Sequence, residues 1–355
     1  MEDKELQKRL PTLEESPPVS LSPPANSSFR IFAAFLICSA LLIAVFSASA
    51  VLLKGRSWGD GNNRFPFLQG DSAKTPNGDS LHNEDSTMPL PSPEGAVPDG
   101  AIPILSKDLS YLELGSAYFH NETPYTPNPT ELLTRELLVP EPGGAPRVLI
   151  LHTHTSESYL EEGSTYLEGA PGDLTYTRDE AQNVLAVGKM LADTLNENGI
   201  TAIHCTVMHD APTLGGSYER SAQTVRQYLK EYPTITYVID LHRDAVMTSE
   251  GEYVRTKCAD ESTAQIMAVV GSDCNGTGHP NWEENLALAF RLRQALNQKI
   301  PNVCRPVSLR NASYNQELAP RFLLLEIGSG GNSVEEAKNA ARLVGQTLAE
   351  MLYAR

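Results

Sequence analysis

The chain has 355 residues, of which 44 are acidic and 28 basic, so its formal net charge is −16 at pH 7. This acidic balance argues against nucleic acid as a partner, because phosphate binding requires clustered Lys and Arg side chains. No CxxC pair occurs, which argues against a cysteine-rich structural zinc site. Cys205, Cys258, Cys274 and Cys304 are compatible with two disulfides or with free buried thiols.

The N-terminal part predicts a membrane anchor. Residues 1–30 are rich in Pro and Ser and predict a disordered cytoplasmic tail. Residues 31–53 carry no charge, and at about 1.5 Å per residue they match the roughly 30 Å hydrocarbon core of a bilayer. A signal peptide is the alternative, but the apolar run at 31–53 is longer than the apolar core of a signal peptide. We therefore expect one transmembrane helix at 31–53, a polar flexible linker at 54–100 and a folded domain at 101–355.

The orientation of this anchor follows from what comes after it. Lys and Arg residues are nearly balanced on the two sides of the span, so the positive-inside rule does not decide. About 300 residues follow without a second apolar span. A single N-terminal anchor of this kind usually leaves the long C-terminal domain outside the cytoplasm, and we expect that arrangement.

From residue 147 onward, short apolar runs alternate with amphipathic helical patterns. Strands are predicted at 147–152, 200–207, 235–242, 264–271 and 321–328, and helices at 180–198, 218–232, 281–299 and 332–353. The last helix begins with Ser333 and Glu336 in a capping-box arrangement. The segment from Ile102 to this region predicts an ordered but loop-rich extension. The alternation predicts an α/β domain with a mostly parallel sheet and helices on both faces.

Polar side chains stand at the carboxyl ends of three predicted strands, which is where open α/β sheets bind ligands. His152 and His154 follow the first strand, His242 ends a later one, and Glu326 lies near the end of the last. Two histidines spaced two apart point the same way in an extended chain. Taken singly, His152 and His154 are more typical of side chains that bond loop backbone, and His242 is more typical of a core histidine. Their joint placement at one sheet edge favours a metal site.

Zn²⁺ is the metal that these residue types fit best. Imidazole and carboxylate are ligands of catalytic zinc, which lowers the pKa of a bound water towards about 7. Glu326 lies within an otherwise apolar strand, where a carboxyl group is costly unless it is paired, protonated or facing a cavity. Such a carboxyl group is suited to act as a general base, so we predict Glu326 as the catalytic residue and His152, His154 and His242 as metal ligands.

The separated motifs HTHTSESY, GSYERS, VIDLHRDA, PNWEENLALA, YNQELAPRFLLLEIG and GNSVEEAKNAA resemble the stage II sporulation protein P family. The resemblance runs from about Ile102 to Arg355 and includes the preceding anchor. It implies a zinc-dependent N-acetylmuramoyl-L-alanine amidase, with peptide-crosslink endopeptidase activity, that acts on peptidoglycan during septal thinning and engulfment in sporulation. It also implies two partners, stage II sporulation proteins D and M, and a location in the cell membrane facing the septal intermembrane space.

More distantly, the chain is similar to zinc amidases with a phosphorylase/hydrolase-like fold. VIDLHRDA supplies the histidine of their later strand, His242, and LLLEIGSGGN supplies their catalytic glutamate and an asparagine, Glu326 and Asn332. Arg220 stands where those amidases have an arginine, and Arg220 or Arg243 is expected to bind an oxyanion or a substrate carboxylate.

Two elements of that pattern are not clearly present. HTHTSE replaces the usual glycine-rich first element, so His152 and His154 compete for one role. The glutamate at a helix start has three candidates, Asp179, Glu180 and Glu157. Two other functions stay open: a catalytically silent murein-binding scaffold that recruits a partner hydrolase, and a zinc hydrolase that removes sugar N-acetyl groups.

Overall fold

The computed structural model describes Pro98 and residues 101–110, 119–137, 144–167, 175–249, 251–274, 276 and 278–353. The predicted tail, the predicted span at 31–53 and, apart from Pro98, the predicted linker lie outside this part of the chain. Within the described residues, no helix combines the length and apolar character that crossing a bilayer demands.

Ten strands and five α-helices make up the described domain. The strands are β1 (Ile102–Lys107), β2 (Phe119–Asn121), β3 (Val148–Leu151), β4 (Tyr166–Leu167), β5 (Ala202–His204), β6 (Tyr237–Asp244), β7 (Tyr253–Thr256), β8 (Ile266–Gly271), β9 (Val307–Arg310) and β10 (Arg321–Ser329). The helices are α1 (Pro129–Thr134), α2 (Val184–Glu197), α3 (Ser217–Glu231), α4 (Trp282–Lys299) and α5 (Val334–Tyr353).

Seven strands form the main sheet in the order β2-β9-β8-β10-β6-β3-β5. Every neighbouring pair is parallel except β8 and β10, which are antiparallel, so the predicted mostly parallel sheet is confirmed. A small second sheet has the order β4-β1-β7. The parallel block β10-β6-β3 is the important part for function, because its three strands end at the same edge.

The two faces of β10 have different neighbours. Leu323, Leu325 and Ile327 belong to the main apolar core together with α2, α4 and α5. Leu324 and Glu326 alternate with them and point to the opposite face. α3 lies on that opposite face, where Ser221 bonds Thr153 beside β6. Helices therefore cover both faces, as predicted, and the Glu326 face is the one that α3 borders.

Local capping sets the helix boundaries. The side chain of Asn183 accepts a hydrogen bond from the Leu185 amide, so α2 starts at Val184 instead of residue 180. At α5, the Glu336 amide donates to Ser333 Oγ and the Ser333 amide donates to Glu336 Oε2. These reciprocal bonds confirm the predicted capping box.

The sequence patterns do not predict the shortest elements. These are β2 and α1, within the stretch predicted to be loop-rich before β3, and β7 and β9, of four residues each. Such short strands carry too few residues for a clear alternating pattern.

The four cysteines in the described part of the chain are all free thiols. Of the two alternatives, disulfides or free thiols, the structure therefore has free thiols.

Candidate active site

The ends of β3, β6 and β10 bring the predicted site residues together. In the parallel pair β6–β10, His242 lies directly opposite Glu326, and in the pair β3–β6, Leu151 lies opposite Asp240. His154 follows the end of β3, and the centroid of its ring lies 5.2 Å from that of His242. The expected convergence at one edge of the sheet therefore holds for His154, His242 and Glu326.

His242 is buried between two carboxylates. Its Nδ1 lies 3.4 Å from Oε2 of Glu157. Its Nε2 lies 3.1 Å from Oδ1 of Asp240, an ion-pair distance without the alignment of a hydrogen bond. Burial lowers the pKa of His242, but the charges of Asp240 and Glu157 outweigh burial and hold this pKa well above its usual range.

The two carboxylates respond in the opposite direction. Burial raises the pKa of Asp240, but His242 and two hydrogen bonds from Thr153 outweigh it and bring this pKa to about 2. The pKa of Glu157 is also lowered, because His242 and Arg243 outweigh its burial. The two carboxylates therefore surround His242 with negative charge, which favours a positive charge at this position.

Glu157 is the carboxylate that the fold selects from the three candidates. The segment after β3 turns back, and Glu157 pairs with Tyr176 in an isolated bridge while its Oε2 accepts a hydrogen bond from the Arg243 amide. Asp179 and Glu180 are exposed, and Asp179 only caps its own turn through the Ala181 amide. The contact of Glu157 with His242 distinguishes it from the other two.

The side chains of His152 and His154 point in different directions. The extended chain ends at Leu151, and residues 153–156 form turns. His152 is fully buried, with Nδ1 2.8 Å from the Leu241 carbonyl oxygen and Nε2 2.9 Å from Nε2 of His204. His154 instead faces His242 and Tyr218. The expectation of a shared direction is wrong at this turn, and the two histidines stand in different surroundings.

Glu326 carries an unusual carboxyl group. Its Oε2 atom is buried and finds no hydrogen-bond partner among the described residues, although the residue keeps some exposed surface. Burial raises its pKa to about 8, which the nearby His242 only partly offsets. A carboxyl group whose pKa lies this close to neutral pH has both its ionised and its protonated form populated, so it can accept a proton from a reacting group and return it.

Arg220 and Arg243, the two arginines predicted to contact substrate, both bind backbone carbonyl oxygens. Arg220 donates to the carbonyl oxygens of His209, Thr213 and Gly215 and so fixes the loop before α3. Buried Arg243 donates to the carbonyl oxygens of Ser158, Thr175 and Asp244. Both guanidinium groups thus bind backbone carbonyl oxygens, and the expected contact of either one with an oxyanion or a substrate carboxylate stays a prediction.

Asn332 is likewise a structural residue. Its Oδ1 accepts hydrogen bonds from the backbone and side chains of Thr256 and Ser329. These bonds tie the small sheet to the turn between β10 and α5.

Asp240 is a site residue that the sequence analysis does not predict. Its position two residues before His242 on a strand places both side chains on one face of the sheet.

The donor set at this edge of the sheet has the chemistry of a metal site. No group of three or more His, Cys, Asp or Glu side chains in the described ranges is arranged to hold a metal ion. The donor chemistry nevertheless suits zinc: Nδ1 of His154 is buried without a partner among the described residues. A tetrahedral zinc with bonds of about 2.0–2.2 Å separates neighbouring ligand atoms by about 3.4 Å, and Nδ1 of His242 and Oε2 of Glu157 have that separation.

Comparison with known proteins decides the family. The model of the family described as "Stage II sporulation protein P (SpoIIP)" matches residues 114–349. The chain belongs to the stage II sporulation protein P family. A family member from Bacillus subtilis (strain 168), "Stage II sporulation protein P", is 30% identical over 217 residues, which are 58% of this chain and 51% of that protein. The chain thus spans about half the length of this curated relative.

Solved structures give weaker likenesses to this family member. An N-acetylmuramoyl-L-alanine amidase from Clostridium difficile 630 is 15% identical, with 60% of this chain and 97% of that chain covered and a TM-score of 0.37. The CwlD amidase from Clostridioides difficile, solved in complex with the GerS lipoprotein, is 12% identical, with 59% and 100% covered and a TM-score of 0.37. At such low TM-scores these likenesses do not establish a shared activity.

Proposed function

We propose that the chain is a zinc-dependent peptidoglycan hydrolase that cleaves the amide bond between N-acetylmuramic acid and L-alanine. The observation that carries this function is the arrangement of His154, Glu157 and His242 at one sheet edge, with the partly exposed Glu326 directly opposite His242. Two imidazoles and a carboxylate form a donor set suited to zinc, and a separate carboxyl group of raised pKa suits proton transfer.

His154, Glu157 and His242 would hold the metal, and Asp240 would orient His242 from the other side of its ring. When bound, zinc polarises the scissile carbonyl and increases the acidity of a water molecule. Glu326 accepts the proton of the attacking water and delivers it to the nitrogen of the departing peptide. The peptide leaves with a free amino group, and the sugar keeps the carboxylate.

The same function accounts for the predicted anchor. Peptidoglycan lies outside the cytoplasm, so the domain acts there while the span at 31–53 holds it to the cell membrane and the linker at 54–100 limits its reach. In sporulation the activity serves septal thinning and engulfment, in the septal intermembrane space. Stage II sporulation proteins D and M are the partners implied by family resemblance, and peptide crosslinks are the proposed second substrate.

The test is mass spectrometry of the products released from purified peptidoglycan by the full-length chain, purified in detergent and loaded with zinc. Stem peptides with a free N-terminal alanine are expected, together with loss of release on chelation. The matched Glu326→Gln variant should release none. Binding without any release would support the silent scaffold instead, and release of acetate would support removal of N-acetyl groups.

A further inference from the structure

Two tyrosines border the candidate active site on the face of the sheet that α3 borders. The Tyr218 ring lies edge-to-face against His154, with centroids 5.6 Å apart. The Tyr314 ring lies next to Tyr218, with centroids 6.0 Å apart and planes tilted by 51°. Both residues are partly exposed. Together they form an aromatic surface, here called the tyrosine platform, that begins beside a candidate metal ligand.

The backbone under this platform is strained. Tyr314 and Asn315 are consecutive residues in the left-handed region, with φ angles of 52° and 60°. Asn tolerates this region, but a bulky residue such as Tyr does so rarely and at a cost of about 1–3 kcal/mol. A glycine at position 314 would avoid this cost.

Specific contacts hold Tyr314 in this conformation. The Asn315 side-chain amide donates to the Tyr218 carbonyl oxygen at 2.8 Å and to Ser221 Oγ at 3.1 Å, which ties the strained segment to α3. The buried Gln316 side chain accepts a hydrogen bond from the Gly271 amide and donates one to the Val269 carbonyl oxygen. The segment is thereby bonded to α3 on one side and β8 on the other, which keeps the two rings together.

The face of the sheet beneath the platform is apolar up to Glu326. Tyr314 packs against Met267, Val269 and Leu324, and Glu326 is paired with Met267 on neighbouring strands. The aromatic area therefore borders the carboxyl group assigned to proton transfer. Of the charged groups around Tyr314, the Arg310 guanidinium is paired with Glu122.

We propose that the tyrosine platform binds the glycan strand by stacking on its pyranose rings. This inference rests on the proposed function, since the scissile amide is attached to a sugar ring through a short lactyl ether. The electron-rich face of an aromatic ring attracts the polarised C–H groups that a pyranose presents. A sugar held on Tyr218 and Tyr314 would therefore present its lactyl amide to His154 and Glu326 next to it.

The test compares Tyr314→Phe, which keeps the ring, with Tyr314→Leu, which keeps apolar packing without an aromatic face. Binding of a soluble N-acetylglucosamine hexamer and of a free stem peptide is measured on the full-length chain, with thermal unfolding as the control for folding. We expect Tyr314→Leu to weaken hexamer binding about tenfold and Tyr314→Phe to stay within about twofold of the unmodified chain. Stem-peptide binding should be unchanged in both variants.

Kinetics on glycan-linked substrate provide a second measurement. Tyr314→Leu should raise KM about tenfold with little change in kcat, because the platform positions the sugar and takes no part in proton transfer. If Tyr314→Leu does not fold, Tyr314→Gly replaces it, since glycine adopts the left-handed backbone without cost.

The binding measurements test the tyrosine platform independently of the proposed hydrolase activity. Hexamer binding that depends on the Tyr314 ring supports the platform even if no stem peptide is ever released, a result that would reject only the hydrolase. Equal hexamer binding by Tyr314→Leu and the unmodified chain would overturn the platform whether or not hydrolysis occurs. Loss of binding in both Phe and Leu variants would also overturn stacking and point to the phenol hydroxyl.

Discussion

His242 and Glu326 occupy directly opposed positions in the parallel strand pair β6–β10. Opposed residues in neighbouring strands share one face of the sheet, so the imidazole and the carboxyl group are held together by two central strands and not by loops. Each residue also follows an apolar run, which is why both were predictable from the sequence. The pairing gives a rigid base on which the rest of the site is assembled by turns.

Replacing Glu326 with Gln should abolish catalysis and leave the fold intact. Gln keeps the shape of the side chain but cannot accept a proton, so we expect the rate of stem-peptide release to fall by about 10²–10⁴-fold. Bound zinc and affinity for peptidoglycan should be unchanged. Glu335→Gln, an exposed position on α5, is the matched control. Stem-peptide release by Glu326→Gln at the rate of the control would remove Glu326 from the mechanism.

Glu157→Gln should reduce zinc binding. The amide is a poor zinc ligand and loses the negative charge that now faces His242 at 3.4 Å, so we expect at least about tenfold less bound metal at limiting zinc. The measurement is metal content after dialysis against a buffered zinc concentration. The exposed Glu161, four residues further on, gives the control Glu161→Gln. Equal metal content in the two variants would exclude Glu157 as a ligand.

Replacing His154 and replacing His152 should have different effects on the metal content measured after dialysis. His154 faces His242, whereas His152 Nδ1 and Nε2 are engaged by the Leu241 carbonyl oxygen and His204. We expect His154→Gln to lose zinc with little loss of stability. His152→Gln should keep zinc and lower the free energy of unfolding, because it disturbs a fully buried site. The reverse pattern would assign the metal to His152.

The sequence predicts those parts of the site that depend on short stretches of consecutive residues. Apolar runs mark the strands, and their polar ends mark His242 and Glu326. The capping box at Ser333 and Glu336 is equally local, since its two bonds span one helical turn. Elements defined by four or more consecutive residues in a clear pattern were therefore predictable.

What the sequence does not predict depends on contacts between distant segments. Glu157 reaches His242 only because its segment turns back and pairs with residues near Tyr176. Arg220 stands at the position that the distant resemblance marks, yet the loop it fixes takes up its donors. The strained backbone of Tyr314 has no local signal at all, because tyrosine disfavours the left-handed region.

Gly188→Ala should destabilise the domain despite the better helix propensity of alanine. A Cβ atom at this position of α2 would lie 2.7 Å from Nε2 of His204 and closer still to the His152 ring. Alanine gains about 1 kcal/mol in a helix interior, whereas overpacking two buried rings costs about 1–3 kcal/mol. We expect a lower midpoint in urea. In a double-mutant cycle with His204→Ala, part of the loss should be recovered, and strict additivity would contradict the clash.

The His152–His204 pair should make the domain sensitive to acid. Burial lowers the pKa of His152 to about 3 and that of His204 to about 4. Below the unfolded-state value of about 6.5 the unfolded chain therefore binds more protons than the folded one, and the free energy of unfolding decreases as pH falls. For His204 this loss develops between about pH 6.5 and 4 and reaches roughly 1–2 kcal/mol at pH 5.

Urea unfolding of the zinc-free chain at pH 7 and pH 5 measures this loss. His204→Gln can still bond His152 but does not titrate, so the difference between the two pH values should shrink by the His204 share. His120→Gln, on the partly exposed strand β2, is the control and should keep the full difference. If both variants show the same pH dependence as the unmodified chain, His204 does not titrate on unfolding, and the acid sensitivity must arise elsewhere.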